Sequence, residues 1–218
     1  KHLSSARGGG VKAQNLALLT GESATTPTLR QAVATAFRER ASKGDSVFFY
    51  FSGYGMEAKD NRKNLNLYTY DFDTAGSYSS AELLIVVKEN INHIGRVFIF
   101  LDASYAGLVG DQINDLLRET PEARGKIIAL LSCKADQNSY ETHELNRQMG
   151  VFSRGLISGL NGEADANRDG LVTLGEVFPF IQQTVTRITA KNPDSKQEPV
   201  MWEDMDLNTA LARPGMPG

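Results

Sequence analysis

Apolar positions in this chain follow two rhythms. Short unbroken runs at "SVFFYFS" (46–52), 96–101 and 126–132 are rich in β-branched and aromatic residues and predict strands buried on both faces. Between them apolar residues recur every three or four positions. Leu29, Val33, Ala36 and Phe37 share one face of a helix that opens at Thr26-Pro27, an N-cap followed by proline, and should stop near Gly44. A second helix is predicted over Ser80–Asn90, capped by a serine with Glu82 in its first turn. Further helices are expected at about 112–119, 151–160 and 173–190, and short strands at Asn15–Leu19 and 66–70. The tail after Lys191, with its prolines and acidic residues, is expected to be irregular.

Strands alternating with helices imply an α/β fold with a mostly parallel central sheet covered on both faces. Ligands of such sheets gather beyond the carboxyl ends of the strands. Two strand ends therefore matter most: "YFSGYG" at 50–55 and "FLDASYAG" at 100–107. No repeat or linker interrupts 1–218, which is read as one domain with an irregular tail at 191–218.

Composition narrows the function classes. With 218 residues the chain is long enough for a sizeable core, and 41% hydrophobic with 22% charged residues is ordinary for a globular protein. A net charge of −3 does not favour nucleic acid as a partner. No apolar run reaches the roughly 20 residues that cross a bilayer. No signal-peptide pattern opens the chain, so a cytoplasmic protein is expected. A single cysteine, Cys133, excludes an intramolecular disulfide and is expected to be buried and inert.

The two strand ends resemble those of the caspase-like cysteine peptidases, above all the metacaspase and orthocaspase branch. In that family one strand ends in Ser-Gly-His-Gly, which carries the general base. A later strand ends in Asp-x-Cys-x-x-Gly, which carries the nucleophile. Here the first reads Ser52-Gly53-Tyr54-Gly55 and the second Asp102-Ala103-Ser104-Tyr105-Ala106-Gly107, with 50 residues from Tyr54 to Ser104. A third stretch, "SCKADQNSYE" at 132–141, is similar to the metacaspase segment Ser-Gly-Cys-x-x-Asp-Gln-x-Ser. The resemblance covers about residues 15–190 and implies a caspase-like three-layer sandwich of p20/p10 type. It also implies that the family's first strand and helix are missing or shortened here. By the same resemblance Asp102 and Asp136 fall where the family builds an acidic pocket for lysine or arginine side chains. Asp102 acting only as a cap for its own loop is the equal alternative.

The dyad positions hold residues of different chemistry. A thiol is readily converted to a thiolate; a serine hydroxyl needs a base to take its proton. Tyr54, with an ordinary pKa of about 10, is a poor base at neutral pH. His2, His93 and His143 offer no evident replacement and are read as structural or solvated. A mutual hydrogen bond in a closed, silent cleft is expected for Tyr54 and Ser104.

One further stretch matches none of the quoted family motifs. "DANRDGLVTLGE" at 165–176 fits the calcium-loop pattern D-x-[DN]-x-[DN]-G-x5-E without a mismatch. Asp165, Asn167 and Asp169 would supply side-chain oxygens, Leu171 its carbonyl, and Glu176 a carboxylate. A polar turn that only reverses the chain is the alternative. The loop is single, where such loops are usually paired, and Asn161-Gly162 should end the preceding helix early. The functional expectation is a pseudo-peptidase acting in binding or regulation, as a partner of an active caspase-like protein, of peptides or proteins with basic side chains, or as a module of a larger chain. A slow serine-type peptidase with basic preference and a calcium-responsive interaction module are the competing classes.

Overall fold

A computed structural model describes residue 5 and residues 10–142, 148–190, 195–203 and 206–214. The strands in chain order are β1 (Ser46–Ser52), β2 (Gly55–Glu57), β3 (Leu65–Leu67), β4 (Tyr78–Ser79), β5 (Arg96–Asp102), β6 (Ile127–Leu131), β7 (Glu141–Thr142), β8 (Met149–Gly150), β9 (Val172–Thr173), β10 (Val200–Glu203) and β11 (Ala210–Ala212). The helices are α1 (Thr26–Ala34), α2 (Phe72–Ala75), α3 (Ser80–Asn90), α4 (Leu108–Glu119), α5 (Val151–Ser158) and α6 (Leu174–Thr189). The central sheet has the order β1-β5-β6-β10. β1, β5 and β6 are parallel and β10 runs antiparallel to β6.

The strand β5 shows why the fold has three layers. Val97, Ile99 and Leu101 point into one core with α1, α3 and α4, while Phe98 and Phe100 point into a second with α5 and α6. An unbroken apolar run is what a strand covered on both faces requires. The fold is thus the α/β sandwich expected, with a mostly parallel sheet between helical layers.

Helix starts follow their side chains. α3 opens with a capping box: Ser79 Oγ accepts from the Glu82 amide at 3.1 Å and Glu82 accepts from the Ser79 amide at 3.2 Å. α1 is capped one residue earlier than expected, by Thr25, whose hydroxyl accepts from the Thr28 amide. The Thr26 hydroxyl instead donates to the Gly76 carbonyl, 2.6 Å away, and ties α1 to the loop before β4. α1 runs on through a wider turn over Thr35–Arg40 and ends there, short of Gly44.

Several expectations are corrected. Asn15–Leu19 is not a strand: a single 3-10 turn at Ala13–Asn15 leads into backbone that pairs with no strand. β1 has the expected bounds but is an edge strand, open on one face. Val47 and Phe49 are buried, whereas Phe48 and Tyr50, on the face of α5 and α6, keep 36% and 45% of their surface. α5 meets this face only at the strand's end, where Ser153 contacts the Tyr50 hydroxyl. The strand expected at 66–70 is Leu65–Leu67, because Tyr68 to Tyr70 turn into α2. α4 starts at Leu108, four residues early, since the strand-to-helix turn is tight. The tail is not irregular throughout. β10 completes the central sheet, and its Trp202 lies on α4 where Gly110 has no side chain. Among the described residues no helix is long and apolar enough to cross a membrane.

Candidate functional site

The site lies at the carboxyl ends of β1 and β5. These strands are in register, with Ser52 opposite Asp102, and the Gly53 amide donates to the Asp102 carbonyl at 3.1 Å. Tyr54 and Ser104 therefore each stand two residues beyond the same pair. After Ser104 the chain turns sharply. Tyr105 adopts a left-handed φ of 62°, its amide donates to the Gln137 carbonyl, and α4 begins three residues later. Gly107 is required there: a β-carbon would come within 2.4 Å of the Ala135 amide nitrogen. The loop after β6 thus packs directly beneath the turn that presents Ser104.

The side chains do not form a dyad. Tyr54 is 84% exposed and makes no hydrogen bond to Ser104. Ser104 Oγ instead accepts from the Ser139 amide at 3.1 Å. The expected Tyr54–Ser104 pair is corrected on this point: the backbones are neighbours, but the phenol turns to solvent and the serine faces the loop after β6. No imidazole among the described residues stands in for a base. His93 lies before β5, and seven strand residues at about 3.3 Å each place it roughly 20 Å from the strand's carboxyl end. Its ring meets the Ala41 carbonyl at 3.0 Å. His2 and His143 lie outside the described residues.

Asp102 is the buried charge of the site, with 4% of its surface exposed. Its Oδ1 accepts from Ser139 Oγ at 2.6 Å. Its Oδ2 accepts from the Ser153 amide at 2.9 Å and from Ser153 Oγ at 2.5 Å. Tyr50 and Ser153 share a further hydroxyl contact of 2.7 Å, and burial pushes the Tyr50 phenol above its ordinary pKa. Burial also raises the Asp102 carboxyl above the usual aspartate value, against the pull of the Ser139 and Ser153 hydrogen bonds. Gly150 closes the cover, since a β-carbon there would fall 1.9 Å from Asp102 Oδ2. The neighbouring stretch is stapled from the C-terminal side: Gln197 donates to the Ser132 carbonyl and to Ser139 Oγ and accepts from the Tyr140 amide.

Asp136, expected beside Asp102, is exposed and shares no hydrogen bond with it. An acidic pair that clamps a basic side chain is therefore not assembled in this conformation. One carboxylate is enclosed and occupied by the chain's own hydroxyls, while the other faces water. Cys133 is buried, and burial raises its thiol above the ordinary value, in keeping with an inert core cysteine. In the loop 165–176 Asp165 and Glu176 are half-buried with one carboxylate oxygen of each enclosed, but the Asp169 carboxylate accepts from Asn167 and from the Leu171 amide. Among the described residues no three His, Cys, Asp or Glu side chains gather on one point.

Sequence reasoning missed Tyr50, Ser153 and Gln197, which carry half of this network. Ser139 lay inside the third quoted stretch, where only its aspartate drew notice. Nothing local to Ser153 signals that an aspartate 51 residues away will accept its hydrogen bonds.

A probable protease from a Desulfuromonadales bacterium is 25% identical over 228 residues, covering 92% of this chain and 28% of that protein. This chain thus spans little more than a quarter of the relative's length. The crystal structure of protein GSU0716 from Geobacter sulfurreducens is similar with a TM-score of 0.53 at 18% identity, over 84% of this chain and 74% of that one, a likeness of fold. The caspase domain family model matches residues 14–209. Together with the two strand ends, that match means that the chain belongs to the caspase domain family.

Proposed function

We propose that this caspase domain is a pseudo-peptidase that works by binding rather than by hydrolysis. The observation that carries the reading is the state of the two dyad positions. The nucleophile position is a serine whose oxygen accepts a backbone hydrogen bond, and the base position is a tyrosine turned to solvent. A hydroxyl without a base in reach has no route to lose its proton at neutral pH.

A binding role has its own support at the rim of the cleft. Tyr68 stacks on Phe72 with ring centroids 4.6 Å apart, its hydroxyl meets the Met56 sulfur, and its amide donates to the Tyr54 carbonyl. Tyr54, Met56 and Phe72 are all exposed, so an apolar, largely aromatic rim borders the silent site. Such rims favour protein contacts. The partner fits either another part of a longer chain or an active caspase-like protein. Recognition of a basic side chain by Asp102 with Asp136 would first require the loop carrying Ser139 and the first turn of α5, which carries Ser153, to withdraw.

The test is a library of peptide substrates, incubated with and without calcium, against a Ser104→Ala control. Wild type and variant should give the same background. Cleavage that vanishes in Ser104→Ala would instead make this a serine-type peptidase.

A further inference from the structure

Four buried side-chain polar atoms lack a hydrogen-bond partner among the described residues, and two of them belong to one twelve-residue loop. They are Asp165 Oδ1 and Glu176 Oε1, the first and last positions of the sequence that fits the calcium-loop pattern. Each carboxylate has one oxygen engaged in holding the fold. Asp165 Oδ2 accepts from the Gly170 amide at 3.1 Å. Glu176 Oε2 accepts from the Thr173 amide at 3.0 Å and from its hydroxyl at 2.8 Å, as the cap of α6. A carboxylate that only caps a helix or turn leaves its second oxygen in water, where solvation is free. Here the second oxygens are buried and empty-handed, which is costly for a charged group without a counter-ion.

The two ends of the loop are also drawn together. The turn at 159–163, just before Asp165, packs against α6, which carries Glu176, and against β9, although Glu176 sits eleven positions from Asp165. The loop is framed by α5 with its following turn and by α6. The preceding helix does end at Gly162, at a φ of 115°, as the sequence suggests.

We propose that residues 165–176 bind calcium, with Asp165 and Glu176 as anionic ligands and Asn167, Asp169 and the Leu171 carbonyl completing an all-oxygen set. Oxygen donors of mixed charge and a flexible loop suit calcium better than the compact octahedral shell of magnesium. Among the described residues these three carboxylates do not gather on one point, because Asp169 is turned to Asn167 and the Leu171 amide, and a bound cation would draw it in. Asn167 and Asp169 are at present paired with each other at 3.0 Å, and rotation of the Asn167 amide would free an oxygen on both. The difficulty of a lone loop is met within the chain. β9, inside the loop, pairs antiparallel with β11, with Ala210 opposite Thr173 and Ala212 opposite Val172, so a C-terminal strand supplies the neighbour that a second loop would otherwise provide.

Titration calorimetry of the metal-stripped protein with calcium chloride, beside thermal unfolding with and without calcium, tests this. Wild type should bind one calcium per chain and unfold at a higher temperature in its presence. Glu176→Gln keeps an acceptor for the α6 cap, and Asp165→Asn keeps one for Gly170. Each should weaken calcium binding by ten-fold or more relative to wild type while still folding in its absence. No binding heat and no thermal shift at millimolar calcium would overturn the proposal. So would unchanged affinity in both variants, or magnesium acting as well as calcium. Peptidase inactivity is a separate property: either result here leaves the silent-dyad reading intact.

Discussion

Asp102 shows how one buried carboxylate can hold the chain around a strand end. Its carboxylate is enclosed by Ser139, Ser153 and Gly150, so it organises the loop below Ser104 rather than facing a ligand. Removing it in Asp102→Ala would leave the buried Ser153 amide without an acceptor, a loss of about 1–3 kcal/mol for such a donor. Asp102→Asn keeps an acceptor for that amide and should cost less. The pH dependence has a definite sign. Burial raises the folded-state pKa, so the folded protein holds this proton more tightly than the unfolded chain. That contribution is complete below the ordinary aspartate value and is lost as pH rises through the folded one. Asparagine does not titrate. Urea unfolding should therefore show wild type losing its advantage over Asp102→Asn as pH rises from about 3.5, near the ordinary aspartate range, towards neutrality. An advantage that grows with pH would contradict the burial argument. The position itself was legible, because an apolar run ending in Asp can be read directly. Its partners were not, because Ser153 and Gln197 reach the site only through tertiary packing.

Elements with their own periodicity were legible: β1, α3, β5 and β6 stand within a residue or so of where hydrophobic pattern and caps put them. The misses are elements whose reason for existing lies elsewhere in the chain. β10 is four residues between Pro199 and acidic neighbours, and it is a strand because β6 offers an open edge and α4 offers Gly110. A β-carbon at residue 110 would lie 2.4 Å from the Trp202 ring, so ring and helix touch without a spacer. Gly110→Ala tests that contact. Alanine is the better helix former by about 1 kcal/mol, but overpacking of this kind costs about 1–3 kcal/mol. A net loss of stability is expected. Trp202 is the chain's only tryptophan, and its indole donates to Asn114 at 3.0 Å. Its fluorescence should move to the red as the ring lifts off α4. A more stable protein with unchanged emission would show that β10 is not fitted to that glycine. The edge status of β1 escaped the sequence for a related reason: an apolar run reports what the strand tolerates on each face, not whether a helix arrives to cover it.

At the scale of the whole molecule, the fold brings the two dyad positions to adjacent strand ends, yet their side chains stand apart, Tyr54 in solvent and Ser104 on the Ser139 amide. Replacing both residues examines that separation. In Tyr54→His with Ser104→Cys, the backbone register places the new residues equally far beyond the Ser52–Asp102 pair. The side-chain environment works against them. Residue 54 points into solvent with 84% of its surface exposed, and the oxygen at 104 faces the Ser139 amide. A dyad needs hydrogen-bond reach, and a misplacement of about 1 Å can cost a hundred-fold in rate. The double variant should therefore fold, bind as the parent does and still fail to cleave peptides. Thiol alkylation gives a sharper reading than turnover. Native Cys133 is fully buried and gives little background, so iodoacetamide reports mainly the new thiol. Its reaction rate should fall on going from pH 8 to pH 6 as an ordinary thiol's does, because no imidazolium is held close enough to stabilise the thiolate. A rate that persists at pH 6 in the double variant, but not in Ser104→Cys alone, would show that residue 54 swings inward and that the fold still holds a working dyad in reserve.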